Sequence, residues 1–219
     1  MDSADLVPSS RRPCPVIGIL GGVGSGKSSV ARQVSGAVVI DADRIGHELL
    51  GSQAVRDQIV GEFGESILTA DGTIDRSQLA ELVFGPDEDA HNHRETLENI
   101  LHPEIRRVAE HQIRSVPTGT KCVIVDAALL LEAGWKDVCD AIVFVDTPLS
   151  VRQSRVAETR GWNSAELERR ERSQMSLKEK RRHADLIVDN SASLIDAGST
   201  LDSWLANLTW QTAGPEKTS

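Results

Sequence analysis

The chain has 219 residues, enough for one sizeable α/β domain with a helical insertion. Its formal net charge of −9 argues against a general nucleic-acid binder, and no apolar run approaches the length of a membrane span. The three cysteines, Cys14, Cys122 and Cys139, are an odd number without C-x-x-C spacing. We therefore expect reduced core thiols in a cytoplasmic protein, not disulfides or a zinc site.

A glycine-rich segment between a predicted strand and a predicted helix carries the strongest signal in the chain. Residues 21–28, GGVGSGKS, fit the pattern G-x-x-x-x-G-K-[ST]. The apolar run 16–20 predicts a buried parallel strand, and residues 28–34 have apolar positions at helical spacing. An incidental glycine-rich turn would not need this strand and helix. The pattern therefore predicts a P-loop, whose backbone N–H groups form a nest for phosphate.

The residue types of the P-loop predict their contacts with a nucleotide. Lys27 would bridge the β- and γ-phosphates, and the hydroxyl of Ser28 would bind Mg²⁺. The loop residues that we expect to bind ATP are Gly22, Val23, Gly24, Ser25, Gly26, Lys27, Ser28 and Ser29.

Four further apolar runs predict strands. They are 37–43, 122–126, 141–146 and 185–189. Together with 16–20 they predict a five-stranded parallel sheet in the three-layer α/β fold of P-loop nucleoside triphosphatases. Because ligands of such sheets bind beyond the carboxyl ends of the strands, Asp41 and Asp43 are expected on the same edge as the P-loop. Asp126 ends a Walker-B-like strand and is expected to reach Mg²⁺ through water.

Two other segments are predicted to be helical. From about 52 to 115, apolar residues recur at helical spacing, which predicts a helical insertion over the strand ends where an acceptor substrate would sit. Within it, Pro103 suits the first turn of a new helix. The segment 150–184 has ten Lys and Arg against five acidic residues. We predict a charged helical pair there, over about 150–182, which would be either a lid over phosphates or an ordinary solvated helix face.

The remaining motifs favour a small-molecule kinase among P-loop proteins. The N-K-x-D motif of GTPases does not occur, and Ala127 follows Asp126 where an ABC-type ATPase would have Glu. A kinase needs a base near the acceptor hydroxyl, an acceptor pocket and an arginine-rich lid. The chain offers candidates for all three.

At these positions the chain resembles the dephospho-CoA kinase family, over about residues 16–205. The resemblance implies transfer of the γ-phosphate of ATP, with Mg²⁺, to the ribose 3′-hydroxyl of dephospho-CoA, by a cytoplasmic monomer or small homo-oligomer with no nucleic-acid or membrane partner. The matching segments are 21–29, 41–43, 72–76 with Leu79 and Phe84, 102–106, 129–132, the arginine-rich segment and 185–190. The departures are Ser29 for the usual Thr, Ala128 for Pro, Ala192 for Gly, and one extra residue between Arg155 and Arg160.

The resemblance also implies roles for single residues. The catalytic residues would be Asp43, Lys27, Arg155 and Arg160, and Asn190 would bind ATP. The acceptor would be bound by Asp41, Asp43, His102, Arg106, Leu129 and Glu132. On the residues alone, Asp43 could instead cap the helix that follows it, and His102 could merely precede Pro103.

The resemblance implies domain boundaries as well. The kinase domain would be residues 14–211, with a P-loop core of 14–51 and 120–211. Residues 1–13, including a solvated Arg11-Arg12 pair, would be a disordered extension, and 212–219 a disordered tail.

Two other functions stay open at this point. One is another small-molecule kinase, such as a nucleoside or nucleotide kinase, and the other is a non-catalytic protein in which ATP switches a partner surface. The carboxylate pair after the second strand favours catalysis, because a switch needs no base for an acceptor hydroxyl.

Overall fold

The computed structural model describes residues 12–85 and 89–208. Of the tails expected at 1–13 and 212–219, residues 1–11 and 212–219 lie outside the described residues, whereas Arg12 and Pro13 lie within them. The chain divides into two compact units, the first with residues up to Asp41 and from Gln112 onward, and the second with Ala42–His111. The second unit thus begins about ten residues before the helical insertion expected at 52–115 and ends at His111.

The first unit is built on a five-stranded sheet in which all neighbouring strands are parallel. The strand order is β2-β3-β1-β4-β5. The strands are β1 Val16–Gly21, β2 Ala37–Asp41, β3 Cys122–Asp126, β4 Ala141–Asp146 and β5 Leu186–Asp189. β1, β3 and β4 are almost entirely buried, as their near-continuous apolar sequences require. The predicted parallel sheet of a P-loop fold is confirmed, and β1 lies at its centre.

The helices of the described residues range in length from 5 to 25 residues. In chain order they are α1 Lys27–Ala31, α2 Ala42–Leu49, α3 Gln53–Phe63, α4 Arg76–Phe84, α5 Ala90–Arg114, α6 Leu149–Arg160, α7 Ser164–Arg172, α8 Leu177–Arg182 and α9 Leu194–Ala206. The helix predicted over 28–34 ends early, at Ala31, and a turn follows it. Within residues 12–85 and 89–208, no helix has both the length and the apolar composition needed to cross a bilayer.

One face of the sheet forms a core with α1 and α9. Its fully buried side chains include Ile17, Ile19, Val30, Val143 and Leu201. Val30 belongs to α1, the helix that follows the P-loop, so burial of this side chain holds the start of that helix against the central strand. The core therefore fixes the position of the P-loop between β1 and α1.

The second unit is helical and contains α2, α3, α4 and most of α5. Asp75 caps α4, because its Oδ1 accepts hydrogen bonds from the N–H groups of Ser77 and Gln78 at 2.9 and 3.2 Å. A Cβ on Gly46 would lie 3.1 Å from Ile105 Cδ1, so α2 and α5 approach closely at this glycine. The buried side chains of the unit include Ile45, Val55, Ile59, Leu79 and Val83.

The prediction that Pro103 begins a new helix is wrong. α5 runs from Ala90 to Arg114 with Pro103 inside it. Proline cannot donate a hydrogen bond to the carbonyl of Asn99, but both residues are exposed, so water can satisfy that carbonyl. Buried and half-buried apolar residues continue beyond the proline, as at Ile105 and Ala109, and hold the helix together.

The expectation of a solvated Arg11-Arg12 pair is wrong for Arg12, and Arg11 lies outside the described residues. Arg12 is 8% exposed and donates to the carbonyl oxygen of Val138 and, at 2.6 Å, to Asp140. The other carboxylate oxygen of Asp140 accepts the N–H of Val16 at 2.8 Å. The pair thus joins the start of β1 to the start of β4, which explains why this arginine is buried.

The segment predicted as a helical pair at 150–182 contains three helices, α6, α7 and α8. Gly161, at φ +66°, ends α6, and Asn163 caps α7 by accepting the N–H of Glu166 at 2.9 Å. Ser176 caps α8 in the same way, accepting the N–H of Glu179 at 3.2 Å. Ser176 therefore divides the second helix of the predicted pair into α7 and α8.

Candidate nucleotide-binding site

The P-loop lies at the carboxyl end of the central strand, between β1 and α1. Gly24 and Gly26 have φ values of +76° and +85°, in the left-handed region that favours glycine. A Cβ on Gly24 would lie 2.7 Å from Val156 Cγ1, and a Cβ on Gly26 would lie 2.5 Å from Asn190 Nδ2. The loop therefore packs closely on α6 and on the residue after β5, and both positions require glycine.

Ser28 and two strand-end carboxylates share this edge of the sheet. Ser28 Oγ donates a hydrogen bond to Asp126 Oδ2. Asp126 is 7% exposed, and Asp41 is its register partner on the neighbouring strand β2. Lys27 Nζ lies 3.5 Å from the carbonyl oxygen of Gly21. A hydroxyl and a carboxylate are the hard oxygen donors that Mg²⁺ prefers, so this donor set fits the expected metal.

The carbonyl oxygen of Ser25 accepts hydrogen bonds from three side chains. The donors are Thr147 Oγ1 at 3.0 Å, Arg155 Nη1 at 3.3 Å and Asn190 Nδ2 at 2.8 Å. Arg155 Nη2 also donates to the carbonyl of Asn190 at 2.9 Å. The middle of the P-loop is thus tied to the residue after β4, to α6 and to the residue after β5.

A second group of contacts holds the P-loop at Val23. Arg152 Nη1 donates to the carbonyl of Val23 at 3.2 Å, and Glu171 Oε1 accepts the N–H of Val23 at 3.2 Å. Arg152, which is 4% exposed, forms an ion pair with Glu171 and donates from Nε to the carbonyl of Thr147 at 3.1 Å. Both α6 and α7 therefore reach the P-loop.

Thr147, Arg152 and Glu171 were not among the site residues predicted from the sequence. Only the position of Arg152 gave a signal, because it lies three residues before Arg155 and so on the same face of α6. Arg160, the other predicted catalytic arginine, is exposed at the end of α6, with its guanidinium carbon 4.7 Å from the ring centroid of Trp162. The structure thus brings Arg155 to the P-loop and leaves Arg160 at the last residue of α6, beside Trp162 of the connection to α7.

Glu132 joins the turn after β3 to the connection between α7 and α8. Its Oε1 accepts the N–H of Met175 at 2.7 Å and lies 3.4 Å from Lys180 Nζ. Lys180 is 1% exposed and also donates to the carbonyl of Ala128 at 3.1 Å and to Gln174 Oε1 at 2.9 Å. Leu129, predicted to bind the acceptor, is half-buried in the same turn.

Three of the predicted site residues belong to the second unit. α2 begins at Ala42, so Asp43 lies inside its first turn and is not the capping residue that the sequence allowed as an alternative. Arg106 Nε donates to Glu110 Oε1 at 2.9 Å, and His102 is half-buried one helical turn before Arg106. His102 and Arg106 therefore share one face of α5.

The chain is similar in sequence to known dephospho-CoA kinases. A family model described as dephospho-CoA kinase matches residues 15–196. A dephospho-CoA kinase from Rhodopirellula baltica is 38% identical over 197 residues, which are 89% of this chain and 91% of the relative. A dephospho-CoA kinase from Thermobifida fusca is 37% identical over 181 residues, 81% of this chain and 88% of the relative. A crystal structure from Thermus thermophilus has a TM-score of 0.74 at 32% identity and covers 89% of this chain and 98% of its own.

Proposed function

The chain belongs to the dephospho-CoA kinase family, and on that premise we propose that it transfers the γ-phosphate of ATP to the ribose 3′-hydroxyl of dephospho-CoA, giving coenzyme A and ADP. The observation that carries the donor half of the proposal is the hydrogen bond from Ser28, in the first turn after the P-loop, to Asp126 at the end of the neighbouring strand. The proposal that dephospho-CoA is the acceptor rests on the membership of the chain in the dephospho-CoA kinase family.

Ser28 and Asp126 are the residues that would hold Mg²⁺ with ATP. A hydroxyl has one proton and two lone pairs, and Ser28 uses its proton on Asp126, which leaves oxygen lone pairs for a cation. Asp126 would contact the metal through water. The metal, when bound, would neutralise charge on the β- and γ-phosphates, and Lys27 would add a point charge at the same phosphates.

N–H groups of the loop, among them that of Gly26, would bind the phosphates. Gly22, Val23, Gly24, Ser25 and Ser29 would complete the nucleotide contacts, Val23 through atoms other than the N–H that Glu171 accepts. Asn190 would contribute from the residue after β5. Arg155, which contacts the P-loop, and Arg160 would stabilise the charge that develops as the phosphoryl group moves.

We propose Asp43 as the base that orients the acceptor 3′-hydroxyl and accepts its proton. Arg106 suits the pyrophosphate of dephospho-CoA, because a guanidinium binds phosphate oxygens through two parallel N–H groups. Further acceptor contacts are proposed for Asp41, His102, Leu129 and Glu132. A cytoplasmic location and a monomer or small homo-oligomer complete the proposal.

An acceptor panel tests the function. The purified chain is incubated with Mg²⁺ and ATP, alone or with dephospho-CoA, adenosine or AMP, and ADP release is measured together with the mass of the acceptor. We expect ADP and phosphorylated acceptor only with dephospho-CoA, and loss of both in Lys27→Ala. Comparable turnover with adenosine or AMP would assign another small-molecule kinase. ATP binding without transfer to any acceptor would instead indicate a switch protein.

A further inference from the structure

We propose that Thr147 is a positioning residue of the P-loop, whose hydroxyl helps to fix the peptide plane between Ser25 and Gly26 so that the N–H of Gly26 faces the phosphate. This inference rests on the proposed binding of a nucleotide at the P-loop. It concerns a residue that contacts the loop from the end of β4 and that has no proposed contact with ATP or with the acceptor.

The geometry of the peptide group determines where the N–H of Gly26 points. In a planar trans peptide, the C=O and the N–H point to opposite sides of the chain. The carbonyl oxygen of Ser25 points to Thr147, Arg155 and Asn190, from which it accepts three hydrogen bonds. The N–H of Gly26 must therefore point away from these three side chains.

This peptide plane needs support because of the residue that follows it. Rotation of the plane changes mainly ψ of Ser25 and φ of Gly26, and glycine tolerates both signs of φ. Gly26 has φ +85°, and no side chain of its own disfavours the flipped arrangement. A flip would turn a carbonyl oxygen towards the phosphate and would repel it. The three donors to Ser25 stabilise the orientation that binds an anion.

Thr147 is placed to supply this support from a rigid part of the sheet. It follows β4 directly and is 6% exposed. Its Oγ1 lies 3.0 Å from the carbonyl oxygen of Ser25 and 3.5 Å from that of Asn190. Its own carbonyl accepts from Arg152 at 3.1 Å, which is the arginine that holds Val23. Thr147 thus contacts both groups of residues that hold the P-loop.

The surroundings of Ser25 show that the cluster is suited to a polar ligand. Ser25 Oγ and Asn190 Oδ1 are buried and have no hydrogen-bond partner among the described residues. Buried polar atoms are rarely left unsatisfied, so these two atoms leave hydrogen-bonding capacity beside the P-loop that the protein alone does not use. The carbonyl of Ser25, in contrast, is saturated by side chains of the protein.

Thr147→Val and Thr147→Ser test the proposal as a matched pair. Valine keeps the branched shape and removes the hydroxyl, whereas serine keeps the hydroxyl. We measure ADP affinity, the KM values for ATP and dephospho-CoA, the ¹⁵N–¹H resonance of Gly26 and the melting temperature. A lost neutral hydrogen bond predicts about five- to tenfold weaker ADP binding and a similar rise in the KM for ATP in Thr147→Val.

The other readouts separate positioning from general destabilisation. In Thr147→Val the Gly26 resonance should move in the free protein, while the KM for dephospho-CoA stays within about twofold of the native value. Thr147→Ser should restore ADP affinity and the Gly26 resonance. Native ADP affinity in Thr147→Val, or equal impairment in Thr147→Ser, overturns the proposal. If the valine variant unfolds, Thr147→Ala removes the same hydroxyl without adding a methyl group and is judged by the same criteria.

Binding of ADP by the native protein separates the two proposals. A protein that binds ADP and fails to phosphorylate dephospho-CoA contradicts the proposed function and leaves the role of Thr147 measurable. A native protein that binds no ADP contradicts both.

Discussion

Ser28 Oγ donates a hydrogen bond to Asp126 Oδ2, which joins the first turn of α1 to the carboxyl end of β3. The bond connects two segments that are separated by 98 residues in the chain. It sets the direction of the hydroxyl proton and so determines which side of the serine oxygen faces a cation.

Asp126→Asn tests this arrangement, because asparagine keeps an acceptor oxygen for Ser28 and removes the charge. We expect the apparent affinity for Mg²⁺ to fall about 10- to 100-fold, as is typical when a supporting carboxylate near a metal is neutralised. The measurement is kinase activity titrated with Mg²⁺ at saturating ATP. Asp202→Asn is the control, because it neutralises a carboxylate on α9 that pairs with Lys121. Its Mg²⁺ titration should match that of the native protein. An unchanged Mg²⁺ titration in Asp126→Asn would contradict the metal assignment.

Asp43→Asn tests the proposed base. Asp43 lies in the first turn of α2, where a negative charge interacts favourably with the helix dipole by about 0.3–1 kcal/mol. A role limited to the dipole therefore predicts a small change in melting temperature and nearly normal turnover. As the base, Asp43 should contribute about 10²–10⁴ in rate, so kcat should fall at least about a hundredfold with ATP affinity little changed. Asp57→Asn, an exposed carboxylate on α3, is the matched control.

Glu171→Ala tests the contact between α7 and the P-loop. The substitution leaves the buried guanidinium of Arg152 without its carboxylate partner and the N–H of Val23 without its acceptor. We expect the free energy of unfolding to fall by about 2–3 kcal/mol, somewhat less than for a fully buried pair because Glu171 is 23% exposed. ATP binding should weaken as well. Glu168→Ala, which removes an exposed ion pair on the same helix, should cost less than about 1 kcal/mol by chemical denaturation. An equal loss in the free energy of unfolding in Glu171→Ala and Glu168→Ala would show that Glu171 acts only as a surface charge.

The strands and the P-loop could be predicted from the sequence because their signals are local. Each strand is a short apolar run, most of them ending in a carboxylate, and the P-loop has its own spacing of glycines. Pro103 misled the prediction because the proline rule is also local, whereas the helix is held by packing along its whole length.

The residues that hold the P-loop could not be predicted in this way. Thr147 and Glu171 lie 122 and 148 residues from their partners Ser25 and Val23, and no spacing along the chain encodes such contacts. Arg12 is a further example. From the sequence alone, an arginine near the terminus is expected to be solvated, but the pairing of β1 with β4 places Asp140 beside it. Local patterns, and for most acceptor residues the family resemblance, therefore identified the residues proposed to bind ligand but not the residues that position them.

The cysteines allow a prediction about pH. Burial raises the pKa of Cys122 to about 12, with the neighbouring Cys14 thiol adding to the shift, and burial likewise raises the pKa of Cys139 to about 12. At pH 8 the thiolate fraction at such a pKa is about one in 10⁴, so native thiols should react with an aromatic disulfide only after unfolding. Rapid reaction of one thiol in the native protein would contradict this.

The same shift affects stability at high pH. Above a pH of about 9 the unfolded chain loses the proton of Cys122, while the folded chain keeps it up to about 12. The unfolded state then binds fewer protons, so the free energy of unfolding should fall by about 1.4 kcal/mol per pH unit from this thiol. Cys122→Ala should be less stable at pH 7, because it leaves a small cavity, and should show a shallower decline above pH 9. Denaturation curves at pH 7, 9 and 10 measure how the free energy of unfolding changes with pH in the native protein and in Cys122→Ala. Equal slopes in the two proteins would assign the loss of stability to groups other than Cys122.

The last prediction concerns Glu132, which has both a proposed acceptor contact and a contact with buried Lys180. If Glu132 mainly binds dephospho-CoA, Glu132→Gln should raise the KM for this acceptor and leave stability unchanged. The structure gives reason to expect a loss of stability in addition, because Glu132 Oε1 lies 3.4 Å from an ammonium group that is 1% exposed. Lys180 would keep its bonds to Ala128 and Gln174 and lose its counter-charge.

We therefore expect Glu132→Gln to lower the free energy of unfolding by about 2–3 kcal/mol, somewhat less than when one partner of a fully buried ion pair is removed, because Glu132 is 23% exposed. Glu132→Gln combined with Lys180→Met removes the uncompensated charge and should recover part of this loss. The proposed acceptor contact predicts in addition that the KM for dephospho-CoA, measured below the melting temperature of each variant, rises more than about threefold in Glu132→Gln. A raised KM with native stability would contradict the ion-pair role of Glu132, and lost stability with a native KM would contradict its acceptor contact.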